Sequence, residues 1–321
     1  MRVQALRATA AGQAEGGSLL MNTHRAESAA TGISVCAYSS TRFFKPHPIR
    51  LNKAVIQGKT IGIHDAESSD GPSKPGCDAT ASGRPSEGTS TLTHADQLIE
   101  TLANARVVLF GFDGPVCDVF AGLPAPEVAR ELAALLSAQD EAAGAKAAQT
   151  DDPIEVLRIA HEADTELGQR IEQALTAAEV RAVAVAGQPI PGAVEALRAA
   201  RAAGRGVAVV SNNSAECVRA FLELNGLRQY VTEIVGRPSE QLHLMKPNPF
   251  PLITAAERMH IDVTSCTLIG DSLSDIQAAR AAGATAIGYS NVPYKANQFT
   301  EAQADVVTED MQDIADALTT A

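Results

Sequence analysis

Tryptophan is absent from this chain of 321 residues, and aromatic residues make up only 4% of it, so any core must be built from Ala, Val, Leu and Ile. Long hydrophobic runs are missing as well. No stretch approaches the ~20 apolar residues needed to span a bilayer, which argues against a membrane partner. The five cysteines (Cys36, Cys77, Cys117, Cys217 and Cys266) form no CxxC pair and no metal-type spacing. They read as free thiols of a cytoplasmic protein. Basic charge is scarce in most of the chain. Residues 96–321 hold 16 Lys/Arg against 31 Asp/Glu, a net charge of −15, whereas residues 1–95 carry +3. A region this acidic repels phosphate backbones and argues against nucleic acid.

What is present divides in two. Residues 1–95 are rich in Ser, Thr, Gly, Ala and Pro, as in Ser68-Ser69-Asp70-Gly71-Pro72, and are expected to be a disordered low-complexity tail. The extreme N-terminus is rich in Arg, Ser and Ala, like a transit peptide, without the apolar segment of a secretory signal. Disorder, or a later start such as Met21, is the favoured reading over targeting.

Beyond the tail, periodicity takes over. Thr93–Ala103 reads as a short helix and Arg106–Phe110 as a strand. A helical pair follows, Pro126–Leu136 and Ile154–Leu175, joined by a soft Ala/Gly/Gln-rich connection over Ala142–Asp151. Strands are then expected at Val207–Val210, Glu233–Val235, Cys266–Ile269, Ala284–Ile287 and Asp305–Val307. Helices are expected between them, with Ser214 as a cap and Gly204, Gly226 and Gly283 as stops. Short apolar strands alternating with helices predict an α/β fold: a Rossmann-like parallel sheet with helices on both faces. The helical pair after the first strand predicts a small cap. The expected division is a tail at 1–95, a core at 96–118 and 189–321, and a cap at 119–188.

Four segments fall at expected strand ends. The first is Val107-Val108-Leu109-Phe110-Gly111-Phe112-Asp113-Gly114, an apolar run that delivers a carboxylate to a turn. The others are Ser211-Asn212-Asn213, Lys246 within Met245-Lys246-Pro247-Asn248-Pro249, and Gly270-Asp271-Ser272-Leu273-Ser274-Asp275. Each alone has an ordinary explanation: a turn, a strand-end cap, a solvated lysine, a strand-to-helix turn. Their order and spacing together point to one site. Phosphoryl transfer spreads negative charge over three oxygens and asks for cationic and hydrogen-bonding partners of this kind. Sites of this design are expected to carry two carboxylates two residues apart, the first to attack phosphorus and the second to handle the proton. Asp113 fills the second position. Gly111 occupies the first.

This order resembles the haloacid dehalogenase superfamily of phosphohydrolases, from Arg106 to the C-terminus, and most specifically its phosphoglycolate phosphatase-like members. The GDSxxD segment after an apolar strand and the KPxP before it carry most of the likeness. The resemblance implies magnesium held by Asp113, Asp271 and Asp275, with Asp113 using its backbone carbonyl and Asp275 orienting Lys246 or a metal-bound water. It implies Asp113 as acid and base, Ser211 and the amide of Asn212 as phosphate donors, and Lys246 as the balancing charge. Pro189-Ile190-Pro191-Gly192-Ala193 is similar to the family's return hinge from cap to core.

The chain departs from the family at Gly111, where the resemblance implies the aspartate that forms an aspartyl-phosphate and ligates magnesium. Three readings follow: a protein that binds a phosphate ester without turnover, a weak enzyme, or a single base change in an otherwise active lineage. The expected function is a magnesium-dependent phosphatase of a small phosphorylated metabolite, impaired at Gly111. The rival is a non-catalytic phosphometabolite-binding or regulatory protein. Monomer and homodimer are both compatible. A dehalogenase has no use for the acid/base Asp113, and a phosphonate hydrolase of this family would want a cap lysine, whereas Lys146 in the soft connection is the only one there. His161 reads as a packing residue. Cys117 and Asp118 follow the turn, and nothing nearby activates Cys117 as a replacement nucleophile.

Overall fold

The computed structural model describes residues 92–321. The expected tail therefore lies almost wholly outside the described residues. The helix expected at Thr93–Ala103 is α1 (His94–Ala103), which opens with a capping box between Thr93 and Asp96.

Six strands form one wholly parallel sheet: β1 (Val107–Phe110), β2 (Gly206–Val210), β3 (Glu233–Val235), β4 (Cys266–Gly270), β5 (Thr285–Tyr289) and β6 (Val306–Thr308). Their order is β3-β2-β1-β4-β5-β6. The chain thus winds one way from β1 to β3 and the other way from β4 to β6. The switch falls between β1 and β4, paired in register from Val107 with Cys266 to Phe110 with Ile269. A crevice opens at the carboxyl ends of strands where the winding reverses.

β1 is buried along its whole length because both faces of the sheet are covered. Val108 and Phe110 join a cluster with Leu197, Phe221 and Ile314 on one face, and Val107 and Leu109 join Leu252, Leu268 and Ile276 on the other. The covering helices are α6 (Ala193–Ala202), α7 (Ala215–Leu224), α8 (Phe250–Arg258), α9 (Leu273–Ala282), α10 (Tyr294–Glu301) and α11 (Met311–Thr320), with α1.

Four helices lie between β1 and α6: α2 (Ala125–Ser137), α3 (Glu141–Ala147), α4 (Pro153–Ala163) and α5 (Thr165–Val185). They share their own apolar cluster, centred on Leu132, Leu136, Val156, Leu157 and Leu175. Two expectations need correction here. The soft connection contains helix α3, because Asp140 caps it through Ala143 N–H and Ala143 and Ala147 are buried against its neighbours. The long second helix is two helices, because Asp164 leaves the helical conformation and accepts hydrogen bonds from Glu166 and Leu167. An aspartate that can satisfy free amides starts a new helix more readily than it continues an old one. Helix α10 had no counterpart in the sequence reading. The outgoing and returning segments meet where Ile190 N–H donates to Val116 carbonyl at 3.0 Å. His161 packs over Gly168, where a Cβ would stand 2.4 Å from its ring.

Candidate functional site

The turn after β1 presents Asp113 at the crevice. Phe112 carbonyl accepts from Val116 and Cys117 N–H, which folds the segment tightly. Gly114 is required within it. Its φ is +97°, and a Cβ there would stand 2.1 Å from Asp271 Cγ. Asp113 opens to the cavity, and its Oδ1 accepts from Val119 N–H at 3.0 Å. Partial desolvation by the turn, opposed by that hydrogen bond and reinforced by the negative charge of Asp271, pushes its carboxyl up to about 6 although the residue is exposed on the cavity side. Asp271 is also raised by burial, with the Lys295 hydrogen bond opposing.

β2 ends on Ser211. Its hydroxyl donates to Asn213 Oδ1 at 3.1 Å and accepts from Asn213 N–H at 3.0 Å. Asn212 holds the lysine segment from both sides: Oδ1 accepts from Lys246 N–H at 3.0 Å, and Nδ2 donates to Lys246 carbonyl at 3.1 Å. Among the described residues its own backbone N–H enters no hydrogen bond, so it is free to serve a ligand. Lys246 is buried, and its ammonium donates to Val210 carbonyl at 3.0 Å and Asp275 Oδ1 at 2.5 Å. That leaves one of its three protons for the cavity.

Asp275 contacts Lys246, the partner expected for it. Oδ1 is engaged by Lys246, and Oδ2 accepts from Ser272 N–H at 3.1 Å and Ser272 Oγ at 2.6 Å, closing a capping box on α9. Both oxygens are committed inside the protein, so Asp275 positions Lys246 and the α9 terminus rather than offering a free ligand.

Gly111 lies at the end of β1, where its N–H donates to Ile269 carbonyl at 2.8 Å. A Cβ there would meet its nearest neighbours at 3.4 Å, which is ordinary contact, so the fold leaves room for a side chain. Cys117 is fully buried, and burial raises its thiol far above the usual range, which removes it as a nucleophile. Asp118 is exposed and takes no part in the cavity wall.

These groups converge. A cavity of about 690 Å³ is walled by Asp113, Ser211, Asn212, Lys246, Asp271 and Asp275 on the sheet side, and by residues of α2, α4 and α5 opposite. That volume suits a small metabolite.

Two elements escaped the sequence reading. Arg237, after β3, is fully buried between Glu172 and Glu179 of α5, at 2.8 and 2.7 Å. It also donates to Asn212 carbonyl at 2.9 Å, and Glu179 accepts from Ser214 N–H at 2.9 Å. This ties α5 to the segment that carries Ser211 and Asn212. Lys295, on α10, pairs with Asp271 at 2.8 Å. No local pattern marks either cation, because its partners lie far away in sequence.

The chain belongs to the haloacid dehalogenase-like hydrolase family, whose model matches residues 89–283. Within that family it is phosphoglycolate phosphatase-like, which makes phosphoric monoester hydrolase its enzyme class. It is 34% identical over 194 residues to a phosphoglycolate phosphatase of Xylella fastidiosa (strain 9a5c), covering 58% of this chain and 81% of that one. It is 31% identical over 128 residues to that of Escherichia coli (strain K12), covering 40% of this chain and half of the relative. Among solved structures it is similar to one described as a predicted phosphoglycolate phosphatase from Haemophilus somnus 129PT. That match has 20% identity and a TM-score of 0.49, and it covers 66% of this chain and 97% of the other.

Proposed function

We propose that this protein binds a small phosphate monoester in the cavity between the sheet edge and helices α2–α5, and that Gly111 leaves hydrolysis impaired. The observation that carries the reading is the convergence of Lys246, Ser211, Asn212, Asp113 and Asp271 on one cavity beside a glycine at the attacking position. Lys246 holds the phosphoryl oxygens, the Asn212 N–H adds a donor, and Ser211 joins after rotating its hydroxyl away from Asn213, which gives up one neutral hydrogen bond of about 1 kcal/mol. Asp113 is suited to deliver a proton to the departing alcohol, because a carboxyl pushed up to about 6 holds its proton closer to neutrality than an ordinary aspartate does.

The donor set fits magnesium. Asp113 and Asp271 repel one another across the turn, and a cation between them relieves that repulsion. Among the described residues no group of three or more His, Cys, Asp or Glu converges as a metal cage. Magnesium does not need one, since it is held by one or two carboxylates with water and substrate phosphate. Asp271 and the Asp113 backbone carbonyl would hold it, and it would supply charge neutralisation of the phosphoryl oxygens. Localisation in the cytoplasm accords with the free thiols and with the lack, among the described residues, of any helix long and apolar enough to cross a membrane.

Binding without turnover is the second reading, and Gly111 itself favours it. The natural protein and Gly111→Asp are assayed with magnesium and a generic aryl phosphate. The impaired-phosphatase reading expects the aspartate to raise turnover by orders of magnitude. Equal turnover by both proteins overturns the account of Gly111. Protection from heat by inorganic phosphate, without turnover in either protein, favours the binding role.

A further inference from the structure

The segment after β5 carries a cation to the one carboxylate that a metal would need most. Lys295, in the first turn of α10, places Nζ 2.8 Å from Asp271 Oδ2, and Asn291 Nδ2 reaches the same oxygen at 3.5 Å. The two charged side chains are only 19% and 16% exposed, so the pair is sheltered from bulk water. Screening weakens it less than it would a pair on the open surface.

The charges around the cavity explain why this matters. Lys246 is matched by Asp275, and Lys295 is matched by Asp271. With glycine at 111, one carboxylate fewer demands neutralisation. We propose that Lys295 is an internal counter-ion that stands in for a divalent cation at Asp271, so that magnesium binds only by displacing it. This rests on the reading of Asp271 as the metal-holding carboxylate. Lys295 is in this sense a positioning residue. It offsets the charge of Asp271, leaving Asp113 without a cationic partner, and it sets how much free magnesium is needed to load the site.

Magnesium binding to the full-length protein is measured by titration calorimetry, and manganese binding by electron paramagnetic resonance. The proteins compared are the natural one, Lys295→Met, Lys295→Arg and Gly111→Asp. Lys295→Met is expected to bind either ion at least about tenfold more tightly than the natural protein, because the competing ammonium is gone. Its melting temperature should fall in chelator, where Asp271 is left unpaired, and recover with magnesium. Lys295→Arg should behave like the natural protein in both respects. Equal affinity in the natural protein and Lys295→Met overturns the proposal while leaving the metal position intact. Absence of ion binding in all four proteins, Gly111→Asp included, overturns the metal position and the proposal together.

Discussion

A Cβ placed on Gly111 would stand 3.4 Å from the carbonyl oxygen of Ile269, the β4 residue that accepts the Gly111 N–H. That is van der Waals contact, and the backbone at 111 is not in the left-handed region, which other glycines such as Gly114 and Gly283 do occupy. The missing side chain is therefore a chemical absence that the fold does not demand. Gly111→Ala is expected to leave stability unchanged or to raise it by up to about 1 kcal/mol, through lost freedom of the unfolded chain. Chemical denaturation checks this. A loss above about 1 kcal/mol would mean that packing, and not chemistry, explains the glycine.

Asp113 gives a pH signature. Its folded carboxyl is pushed up to about 6 against an ordinary 3.8, chiefly through partial desolvation by the turn around it. Between those values the folded protein keeps a proton that the unfolded chain has released. Stability therefore falls as pH rises through this window, and the deficit persists above it. Gly111 supplies no charge to alter the balance. Asp113→Asn keeps an oxygen for the Val119 N–H and removes the ionisation. Melts without magnesium should show the variant gaining on the natural protein from about pH 4 to about pH 6, with no gain at lower pH. A constant offset across that range contradicts the assignment.

Arg237 joins α5 to the sheet edge by holding two buried carboxylates at once. Removing it leaves Glu172 and Glu179 without a counter-charge. Arg237→Ala is expected to lose about 3–5 kcal/mol, as breaking a buried pair does. The triple variant with both glutamates changed to glutamine should recover part of that loss. Denaturant unfolding separates the two outcomes, since full additivity would show that the three residues do not act as a unit.

The wall contributed by the helices opposite the sheet is apolar (Phe120, Ile154, Leu175), neutral and polar (Thr150) or acidic (Asp151, Asp152), with the Glu179 charge already matched by Arg237 and no basic side chain among its lining residues. The amino end of α4 does not offset this. Asp152 accepts from Ile154 N–H at 2.9 Å, and Pro153 at the first position has no N–H to offer. A phosphate ester whose alcohol is uncharged should therefore fit better than one carrying a carboxylate, such as 2-phosphoglycolate. With the Gly111→Asp protein, kcat/KM for a neutral-alcohol ester is expected to exceed that for 2-phosphoglycolate by about tenfold or more, since like charges meet across the cavity in the second case. A preference for 2-phosphoglycolate would contradict this.

The sequence by itself determined a good deal. Apolar runs of four or five residues between turn residues fit strands buried on both faces, which is why β1, β2, β4 and β5 were legible, while the three-residue β3 and β6 were legible from their place between helical segments. Asp113, Ser211 and Asp271 were legible because each sits within a few residues of a strand end, and Lys246 because of the KPxP around it, although the fold places it eleven residues beyond β3 and not at a strand end. Gly111 stood out because it too sits at a strand end. Only the tertiary structure decided the rest. The split at Asp164 depended on a side chain turning to cap a helix, and α3 on small residues finding a surface to bury against. Asp275 meets Lys246, 29 positions away, only in the folded chain. Arg237 and Lys295 found their carboxylates 58 and 24 positions away. Periodicity and caps are written over a few residues and survive in one dimension. A counter-ion is chosen by what the fold brings within 3 Å, and no local pattern records that choice.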